Sequence, residues 1–400
     1  MQSQTRSRLW LGVLFVATLA LGTDEFVIAG VLPEVAADLR VSTGAAGQLV
    51  TAFALSFAVG TPLLAVWLDR CPRRPVLALG LAAFVLVNLG CALAPDLTSL
   101  LVLRALAGLS AGVVSTSAFA IAADAAPPGR QGRYLAVVTA GLTVALFTGV
   151  PVGAWLAELV DWRATFVLIG AVATLAAVVA VSTLPPLPGA PVTTLAARLT
   201  PLRRPALARL VAAITLCGTG GLMFYTYLGP VSALSVGSDQ ALPLLLLLVG
   251  LVGVVAAVGS GRLTDSLGPR RARLLIIGGH AALLLAIAAV AAGGGPGWVF
   301  VVLVGLWSLA AWALSPPMQA SALAAAPETP MTAVSLIISG LYLGTAGAGA
   351  LGGLVVDRLG AEAVPLVGAA ALLGALVLAW EAPSALARCR APEQAVGARD

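Results

Sequence analysis

The sequence has no lysine, a single histidine and few charged residues of either sign. Only 10% of its 400 residues are charged and 60% are hydrophobic, whereas a soluble globular chain has about 25% charged residues. So little charge cannot cover the water-exposed surface of a chain this long. The composition therefore excludes a soluble globular protein and predicts a membrane protein.

Cysteine and histidine are too scarce for disulfide or metal chemistry. Cys71, Cys91, Cys217 and Cys389 stand singly, without a CxxC spacing, so we expect neither a disulfide framework nor a metal site. A metal-dependent membrane enzyme needs histidines clustered with carboxylates, and His280 is alone. We therefore expect no enzyme activity and no cofactor. His280 itself has two readings, a helix-packing residue or a proton relay.

Apolar runs long enough to cross a bilayer recur along the whole chain. Because lipid offers no partner for free backbone groups, each run is predicted to be a helix. The predicted fold class is all-α integral membrane with twelve transmembrane helices, called spans 1 to 12 below. Their predicted bounds are 9–32, 44–67, 75–94, 98–122, 134–157, 164–184, 207–230, 241–262, 273–293, 297–320, 331–355 and 362–381.

The loops between these spans carry arginine mainly on one side. The other side has only Arg40, Arg163 and Arg358. Because arginine-rich loops stay in the cytoplasm, both termini are predicted to be cytoplasmic and the protein to lie in the cytoplasmic membrane. The same clustering argues against nucleic acid as a partner. The arginines of the predicted cytoplasmic side are Arg6, Arg8, Arg70, Arg73, Arg74, Arg130, Arg133, Arg198, Arg203, Arg204, Arg209, Arg262, Arg270, Arg271, Arg273, Arg388, Arg390 and Arg399.

A hydrophilic linker at 185–206 divides the chain into two predicted six-helix bundles, 1–184 and 207–382, before a predicted cytoplasmic tail at 383–400. Residues shared at a constant offset of 196 indicate a duplicated, pseudo-symmetric unit. Paired halves with a site between them near the bilayer midplane are typical of transporters. The repeated pairs are Gly22 and Gly218, Thr23 and Thr219, Asp69 and Asp265, and Asp161 and Asp357.

Two adjacent acids, Asp24 and Glu25, lie in an otherwise uncharged span 1. Inserting a charge at this depth costs roughly 2.5–3.5 kcal/mol, so the pair is predicted to bind or exchange something, such as a proton. Neighbouring residues point about 100° apart on a helix, and we expect Glu25 to face the central cavity. In the alternative interpretation, one acid only forms a hydrogen bond with Thr23 or Ser56.

The turns after spans 2 and 8 carry two versions of one motif. Residues 65–74 read A-V-W-L-D-R-C-P-R-R and residues 261–271 read G-R-L-T-D-S-L-G-P-R-R. Both resemble the G-x-x-x-D-[RK]-x-G-[RK]-[RK] motif of the major facilitator superfamily, although Ala65 and Pro72 replace glycines in the first. The resemblance implies an acid–arginine clasp that forms in one conformation and breaks in another. Its predicted members are Asp69, Arg70, Arg73, Arg74, Asp124, Asp265, Arg270 and Arg271.

Span 1 narrows this resemblance to one branch of the family. Residues 22–39 read G-T-D-E-F-V-I-A-G-V-L-P-E-V-A-A-D-L. They resemble the G-T-x-E-F-x-x-x-G-x-L-P-x-x-A-x-D-L signature of twelve-helix drug:proton antiporters, particularly chloramphenicol, arabinose and nucleoside exporters. Glu25 falls on the acid of this signature, and Asp24 occupies its variable position.

Spans 4 and 5 add two further antiporter signatures. Arg104 begins an R-x-x-x-G stretch that resembles one in proton-coupled antiporters, which implies that Arg104 acts with the acids of span 1. The alternative is that Arg104 snorkels to the outer surface. Gly149, Pro151 and Gly153 resemble the glycine–proline signature of antiporters in the form G-x-P-x-G, which implies export.

The second half lacks the ionisable residues of the first. At the 196-residue offset, Asp24 and Glu25 become Gly220 and Gly221, and Arg104 becomes Phe300. Ion handling is therefore predicted to belong to the first half.

The substrate-binding residues are the least defined part of the sequence. Aromatic residues in spans either pack and anchor the helices at the membrane interface or stack on an aromatic substrate. The candidates are Phe26, Gln48, Asn88, Phe224, Tyr225, Tyr227, Trp307 and Tyr342.

Together, these resemblances imply a monomeric exporter of small amphipathic molecules such as chloramphenicol-like antibiotics, driven by the proton gradient. Its expected partners are a small-molecule substrate, protons and the lipid bilayer. The alternative is export of a sugar, nucleoside or other metabolite, which requires more polar side chains at mid-depth than the chain shows. The span 5 signature argues against import by symport.

Overall fold

The structure, a computed structural model, describes residues 2–127, 129–185, 187–189, 194–237 and 241–380, with side chains from residue 9 onward. Within these residues the chain is helical, and twelve spans are long and apolar enough to cross a membrane. The predicted all-α membrane fold is thereby confirmed. The predicted tail at 383–400, with Cys389, and the side chains of Arg6 and Arg8 lie outside the described residues.

Eight of the spans are continuous helices. Ser42, Asp96 and Asp161 precede three of them, and their side chains accept hydrogen bonds from the backbone N–H groups that each helix start leaves free. The bounds are Thr43–Leu68 for span 2, Arg73–Ala92 for span 3, Leu97–Asp124 for span 4, Trp162–Thr183 for span 6, Leu242–Leu267 for span 8, Pro269–Gly293 for span 9, Pro330–Leu359 for span 11 and Ala363–Trp380 for span 12.

The other four spans break and continue as a second helix, and a proline follows each break. A proline lacks the N–H that a helix interior requires but is tolerated near a helix start. Pro33, Pro151, Pro230 and Pro316 lie within the continuing helices. The paired helices are Gln2–Phe26 and Ile28–Asp38 for span 1, Gln131–Phe147 and Gly149–Leu159 for span 5, Pro205–Thr226 and Leu228–Val236 for span 7, and Gly297–Trp312 and Ser315–Ala325 for span 10.

Packing follows the same pattern in both halves. Span 1 packs on spans 5 and 6 as span 7 packs on spans 11 and 12, and span 4 packs on spans 2 and 3 as span 10 packs on spans 8 and 9. Gly22 lies against Ala145, and Gly218 lies against Leu341. Both residues of the second pair follow those of the first by 196 positions. The two six-helix bundles are therefore pseudo-symmetric.

The halves meet where span 2 packs on span 11 and span 5 packs on span 8. We call the end of the molecule with the loops after spans 2, 4 and 8 the arginine face, and the other end the opposite face. At the opposite face the Asp357 carboxylate accepts hydrogen bonds from the Ser42 hydroxyl at 2.7 Å and the Gly44 N–H at 3.0 Å. Deeper in the molecule, the rings of Phe57 and Tyr342 stack at 3.9 Å.

Glycines allow spans 2 and 11 to approach this closely. A Cβ at Gly349 would lie 2.8 Å from the Gly47 carbonyl oxygen, and one at Gly353 would lie 2.6 Å from the Gly44 carbonyl oxygen. We call Gly44, Gly47, Gly349 and Gly353 the glycine seam. The seam closes the opposite face of the molecule between the two halves.

Candidate functional site

A cavity of about 170 Å³ lies between the halves, on the arginine-face side of the Phe57–Tyr342 stack. Span 1 of the first half contributes two residues, and the remaining wall comes from the second half. Glu25 is the only acidic residue among the described lining residues. These are Glu25, Phe26, Ile214, Cys217, Gly218, Gly221, Leu222, His280, Trp307, Ala311, Trp312, Leu314, Ser315, Gln319, Ile337, Ile338, Leu341 and Thr345.

Glu25 connects the two halves at the wall of this cavity. The Tyr342 hydroxyl, on span 11, donates a 2.8 Å hydrogen bond to the Glu25 Oε2. Glu25 forms no ion pair with any residue in the described parts of the chain. Its carboxylate therefore faces an apolar cavity with a neutral partner.

Asp24 has a different environment, although it is the adjacent residue. It is fully buried, and the Arg104 guanidinium, also fully buried, donates from Nη1 to the Asp24 Oδ1 at 2.6 Å. Arg104 Nη2 donates to the Asp24 backbone oxygen at 3.2 Å, and the guanidinium lies 4.5 Å from the centre of the Phe53 ring. Asn88 lies beside this pair. The charge of Asp24 is thus neutralised inside the first half.

Arg104 does not reach the outer surface, and the Thr23 and Ser56 hydroxyls do not bond to the acids of span 1. Arg104 is fully buried, so it does not snorkel to the outer surface. The Thr23 hydroxyl donates to the Leu19 carbonyl at 2.9 Å, and the Ser56 hydroxyl donates to the Phe53 carbonyl at 2.9 Å. Both hydroxyls bond to their own helices, as is common for serine and threonine in apolar surroundings.

The glycine–proline segment of span 5 packs directly on the acid-bearing helix. A Cβ at Gly149 would overlap the Thr23 side chain, and one at Gly153 would lie 2.5 Å from Val27 and 2.9 Å from Thr165. Span 5 breaks at Thr148, immediately before this segment. The segment therefore lets span 5 bend around the part of span 1 that carries Asp24 and Glu25.

The acid at the end of the span 1 signature joins two elements at the opposite face, beyond the apolar segment Leu9–Phe26 that crosses the membrane. The Asp38 carboxylate accepts hydrogen bonds from Arg163 Nη1 at 2.7 Å and Trp162 Nε1 at 3.1 Å. These two bonds, that of Arg163 first, lower the pKa of Asp38. The contact fixes the end of the first helix pair to the start of span 6.

The first copy of the turn motif forms an ion-pair network at the arginine face. Asp69 accepts from Arg73 Nη1 at 3.3 Å and from Arg198 Nη2 at 2.5 Å. Arg73 Nε also lies 3.9 Å from the Asp124 carboxylate at the end of span 4. Arg198 belongs to Leu195–Leu199, a short helix in the linker. The network therefore binds the linker to the first half.

The remaining members of the first copy lie outside this network. The Arg70 guanidinium packs on the Trp67 ring at 5.6 Å, and Arg74 is half-buried at the start of span 3. At the far end of the linker, Arg204 Nη2 pairs with Glu328 at 2.7 Å. Glu328 lies in the loop between spans 10 and 11, so the linker is held by both halves.

The second copy of the motif forms no acid–arginine clasp among the described residues in this conformation, and the predicted clasp there stays a prediction. Asp265 is exposed and has no ion pair within the described residues, and Arg271 is exposed. Arg270 instead donates to the Trp380 carbonyl at 3.3 Å and packs on its ring. The physical reason is a missing acid, because Ala320 stands where Asp124 stands in the first half.

Of the eight candidate substrate residues, Phe26 and Trp307 line the cavity, and Tyr342 borders it through Glu25. The other five are absent from its described lining, and their role in substrate binding stays a prediction. Gln48 donates to the Gly44 and Gly349 carbonyls, and Tyr227 donates to Gly349 at 2.8 Å.

The three remaining candidates are also absent from the described lining of the cavity. Asn88 is fully buried and donates to the Phe84 carbonyl at 3.0 Å. Phe224 packs edge-on against Trp307, and Tyr225 packs edge-on against Phe26. The two aromatic residues support lining side chains and do not line the cavity themselves.

Sequence reasoning missed several polar lining residues of the second half. Ser315, Gln319 and Thr345 line the cavity from spans 10 and 11. Single hydroxyl and amide groups in apolar helices carry no local pattern that separates a cavity wall from a helix contact. Their position depends on how the two halves pack, which the chain's periodicity does not encode.

The family is established by comparison with known proteins. The model of the Major Facilitator Superfamily matches residues 14–333. The chain therefore belongs to the major facilitator superfamily, and it is a multi-pass membrane transporter and not an enzyme.

Similar bacterial proteins cover nearly the whole chain. An uncharacterised transporter of this superfamily, YbcL of Bacillus subtilis (strain 168), is 30% identical over 371 residues, covering 91% of this chain and 93% of that protein. A probable sugar efflux transporter of Helicobacter pylori (strain P12) is 28% identical over 92% of this chain and 93% of its own length. A chloramphenicol resistance protein of Streptomyces lividans is 36% identical over 67% of this chain and 69% of its own length.

Solved structures share the fold at low sequence identity. A bacterial homologue of the human lysosomal transporter Spinster, inward-facing and unoccupied, has a TM-score of 0.75 at 18% identity, covering 96% of this chain and 98% of that chain. The nucleoside transporter NupG has a TM-score of 0.76 at 12% identity, covering 93% of this chain and 98% of that chain. These similarities establish the fold.

Proposed function

We propose that this transporter is a proton-coupled exporter of small amphipathic molecules, with chloramphenicol-like drugs as the favoured class. The observation that carries the proposal is the Glu25 carboxylate. It lines the cavity between the halves, bonds to Tyr342 of the other half and has no ion pair in the described residues. A carboxyl group in apolar surroundings favours its neutral form, which makes it a group that takes and releases a proton.

The proposal assigns distinct tasks to the two adjacent acids. Asp24 is neutralised by Arg104 in a fully buried pair, which makes it a structural anchor for span 1. Glu25 carries the proton. Arg104 acts on it indirectly, because it removes the negative charge that would otherwise lie beside Glu25.

In the proposed cycle the arginine face is cytoplasmic, as the distribution of arginine favours. With the glycine seam closed, ionised Glu25 holds Tyr342 by a charge-assisted hydrogen bond, which stabilises this conformation of the empty carrier. Substrate entering the cavity competes with that bond, and the halves then rock to open the opposite face. Protonation of Glu25 from outside releases the substrate and permits the return.

This arrangement suits an antiporter, because an antiporter must not change conformation when empty. The Glu25–Tyr342 bond is strongest when Glu25 is ionised and no substrate is present. Proton and substrate each weaken this bond. Substrate binding therefore permits the opening of the opposite face, and protonation permits the return.

The second candidate is export of a sugar or another metabolite. It is favoured by the probable sugar efflux transporters of Helicobacter pylori, which are similar over almost the whole chain. The cavity wall argues for the first candidate, because its polar side chains are few and its aromatic and aliphatic ones many.

The test measures accumulation of chloramphenicol, arabinose and a purine nucleoside in a host without its own efflux pumps. We expect the parent to lower chloramphenicol accumulation until a protonophore collapses the proton gradient. Glu25→Gln should abolish this export, whereas the control Glu362→Gln, an exposed acid between spans 11 and 12, should not.

Two results would count against the proposal. If Glu25→Gln exports as well as the parent and still responds to the protonophore, Glu25 is not the proton carrier. If the parent changes the accumulation of no compound in the panel, the drug-export function is wrong.

A further inference from the structure

The cavity wall of the second half contains buried polar atoms without protein partners. His280 on span 9 and Trp307 on span 10 line the cavity, with exposed fractions of 2% and 1%. Both ring nitrogens of His280 and the Nε1 of Trp307 lack a hydrogen-bond partner among the described residues. Trp312 also lines the cavity, and its Nε1 likewise lacks a hydrogen-bond partner among the described residues.

Such groups are rare in folded proteins, because a buried donor or acceptor without a partner is costly. The two rings lie together, with centroids 5.9 Å apart and an interplanar angle of 68°. The two rings therefore form one cluster on the cavity wall.

The pseudo-symmetry of the fold shows where this cluster lies relative to Glu25. At the 196-residue offset Glu25 corresponds to Gly221. A Cβ at Gly221 would lie 2.6 Å from the His280 Cε1 and 3.1 Å from Nε2. The imidazole thus fills the space that a side chain at the position equivalent to Glu25 would need. The first half presents a carboxylate to the cavity, and the second half presents an imidazole edge.

We propose that His280 and Trp307 form a hydrogen-bonding subsite for the uncharged part of the substrate. A neutral imidazole has one donor and one acceptor, and an indole has one donor. The matching ligand is an uncharged aromatic molecule that carries a hydroxyl or amide donor beside a carbonyl or nitro acceptor. The inference rests on the proposed export function, because it assigns the substrate class of the same cavity.

The surrounding cavity wall favours an uncharged aromatic ligand over a sugar or an anion. Phe26 and Trp312 pack edge-to-face at 5.3 Å, which offers aromatic surface to a flat ring. A polyhydroxylated sugar would leave most of its hydroxyls against apolar side chains. An anion would meet Glu25 with no arginine among the lining residues.

The experiment compares two probes on the purified full-length protein in lipid nanodiscs. Chloramphenicol is uncharged and has an aromatic ring, hydroxyls, an amide and a nitro group. Tetraphenylphosphonium is an apolar cation without hydrogen-bonding groups. We expect His280→Leu and Trp307→Phe each to weaken chloramphenicol binding about 10-fold, the effect of one lost hydrogen bond, and to leave tetraphenylphosphonium binding unchanged.

The matched control is Trp298→Phe, which changes an exposed tryptophan at the start of span 10 and should affect neither probe. Retained tetraphenylphosphonium binding shows that each variant is folded. Gly221→Ala, which displaces the imidazole without removing it, should weaken chloramphenicol binding as His280→Leu does.

Two outcomes would overturn the subsite. The first is a parent protein that binds no chloramphenicol, and the second is chloramphenicol binding unaffected by both His280→Leu and Trp307→Phe. A parent that binds chloramphenicol without proton exchange would contradict the proposed function alone.

Discussion

Tyr342 donates to Glu25 across the boundary between the halves, and the same tyrosine ring stacks on Phe57 of span 2. The hydroxyl and the ring therefore contact different elements of the first half. This separation means that the hydrogen bond can be removed while the aromatic contact is kept.

Removing that hydroxyl should loosen the coupling between protons and substrate. In the proposed cycle, the ionised Glu25 of Tyr342→Phe no longer holds the empty carrier in the closed-seam conformation. We expect a proton leak about tenfold above that of the parent, the factor for one charge-assisted hydrogen bond. Proton flux into liposomes containing the purified protein, measured without substrate, checks this. The control is Tyr134→Phe, whose ring packs on Trp10. An unchanged leak in Tyr342→Phe would contradict the proposed role of the Glu25–Tyr342 hydrogen bond.

The buried pair of Asp24 and Arg104 should behave as a structural unit. Removing one partner leaves an uncompensated buried charge, so Arg104→Leu is expected to lower the free energy of unfolding by about 3–5 kcal/mol. The double variant Asp24→Leu with Arg104→Leu should be less destabilised than Arg104→Leu alone. Denaturant unfolding in detergent measures both. Additive losses in the double variant would show that the two residues do not stabilise each other.

The two copies of the turn motif should respond differently to the same substitution. Asp69 holds Arg73 and the linker residue Arg198, whereas Asp265 is exposed and has no ion pair in the described parts of the chain. Asp69→Asn should therefore increase hydrogen exchange in the linker helix, and Asp265→Asn serves as the matched control. Equal exchange in the two variants would show that the ion pairs do not anchor the linker.

The contact between Asp38 and Arg163 has a defined pH dependence. Because the pKa of Asp38 is lowered in the folded protein, the contact stabilises the fold above the ordinary aspartate pKa of about 3.9. That stabilisation is lost as the pH falls through the lower, folded-state value.

Asp38→Asn should consequently reduce stability at neutral pH, by a few tenths of a kcal/mol because the Arg163 and Asp38 side chains are 30% and 44% exposed. The difference from the parent should vanish in strong acid. Unfolding midpoints of both proteins across pH provide the check. A difference that persists in strong acid would mean that Asp38 acts through something other than its charge.

The sequence predicted the parts of this fold that depend on local patterns. The spans follow from apolar runs, and both Asp69 and Asp124 lie where the turn motif places them. The fully buried Arg104 could not be placed, because an arginine near a span end is compatible with snorkelling or burial until the packing of span 4 against span 1 is known.

Contacts between the two halves could not be predicted from local sequence patterns, because the residues that form them are far apart in the chain. Tyr342 lies more than 300 residues from Glu25, and nothing around either residue identifies the other. The placement of His280 against Gly221 depends on the same long-range packing. The open second copy of the turn motif is a different case, because the 196-residue repeat places Ala320 where the first half has Asp124, and this difference is visible in the sequence.

The glycine seam has a consequence for the membrane itself. Between Gly44 and Gly353 the halves meet backbone to backbone, and a Cβ at Gly47 would overlap the Tyr227 hydroxyl. Electrical insulation of the idle carrier thus depends on four positions without side chains. One added methyl group at Gly353, which would meet the Gly44 backbone, would push spans 2 and 11 apart, and a gap wide enough for water would let ions dissipate the gradient that powers the cell.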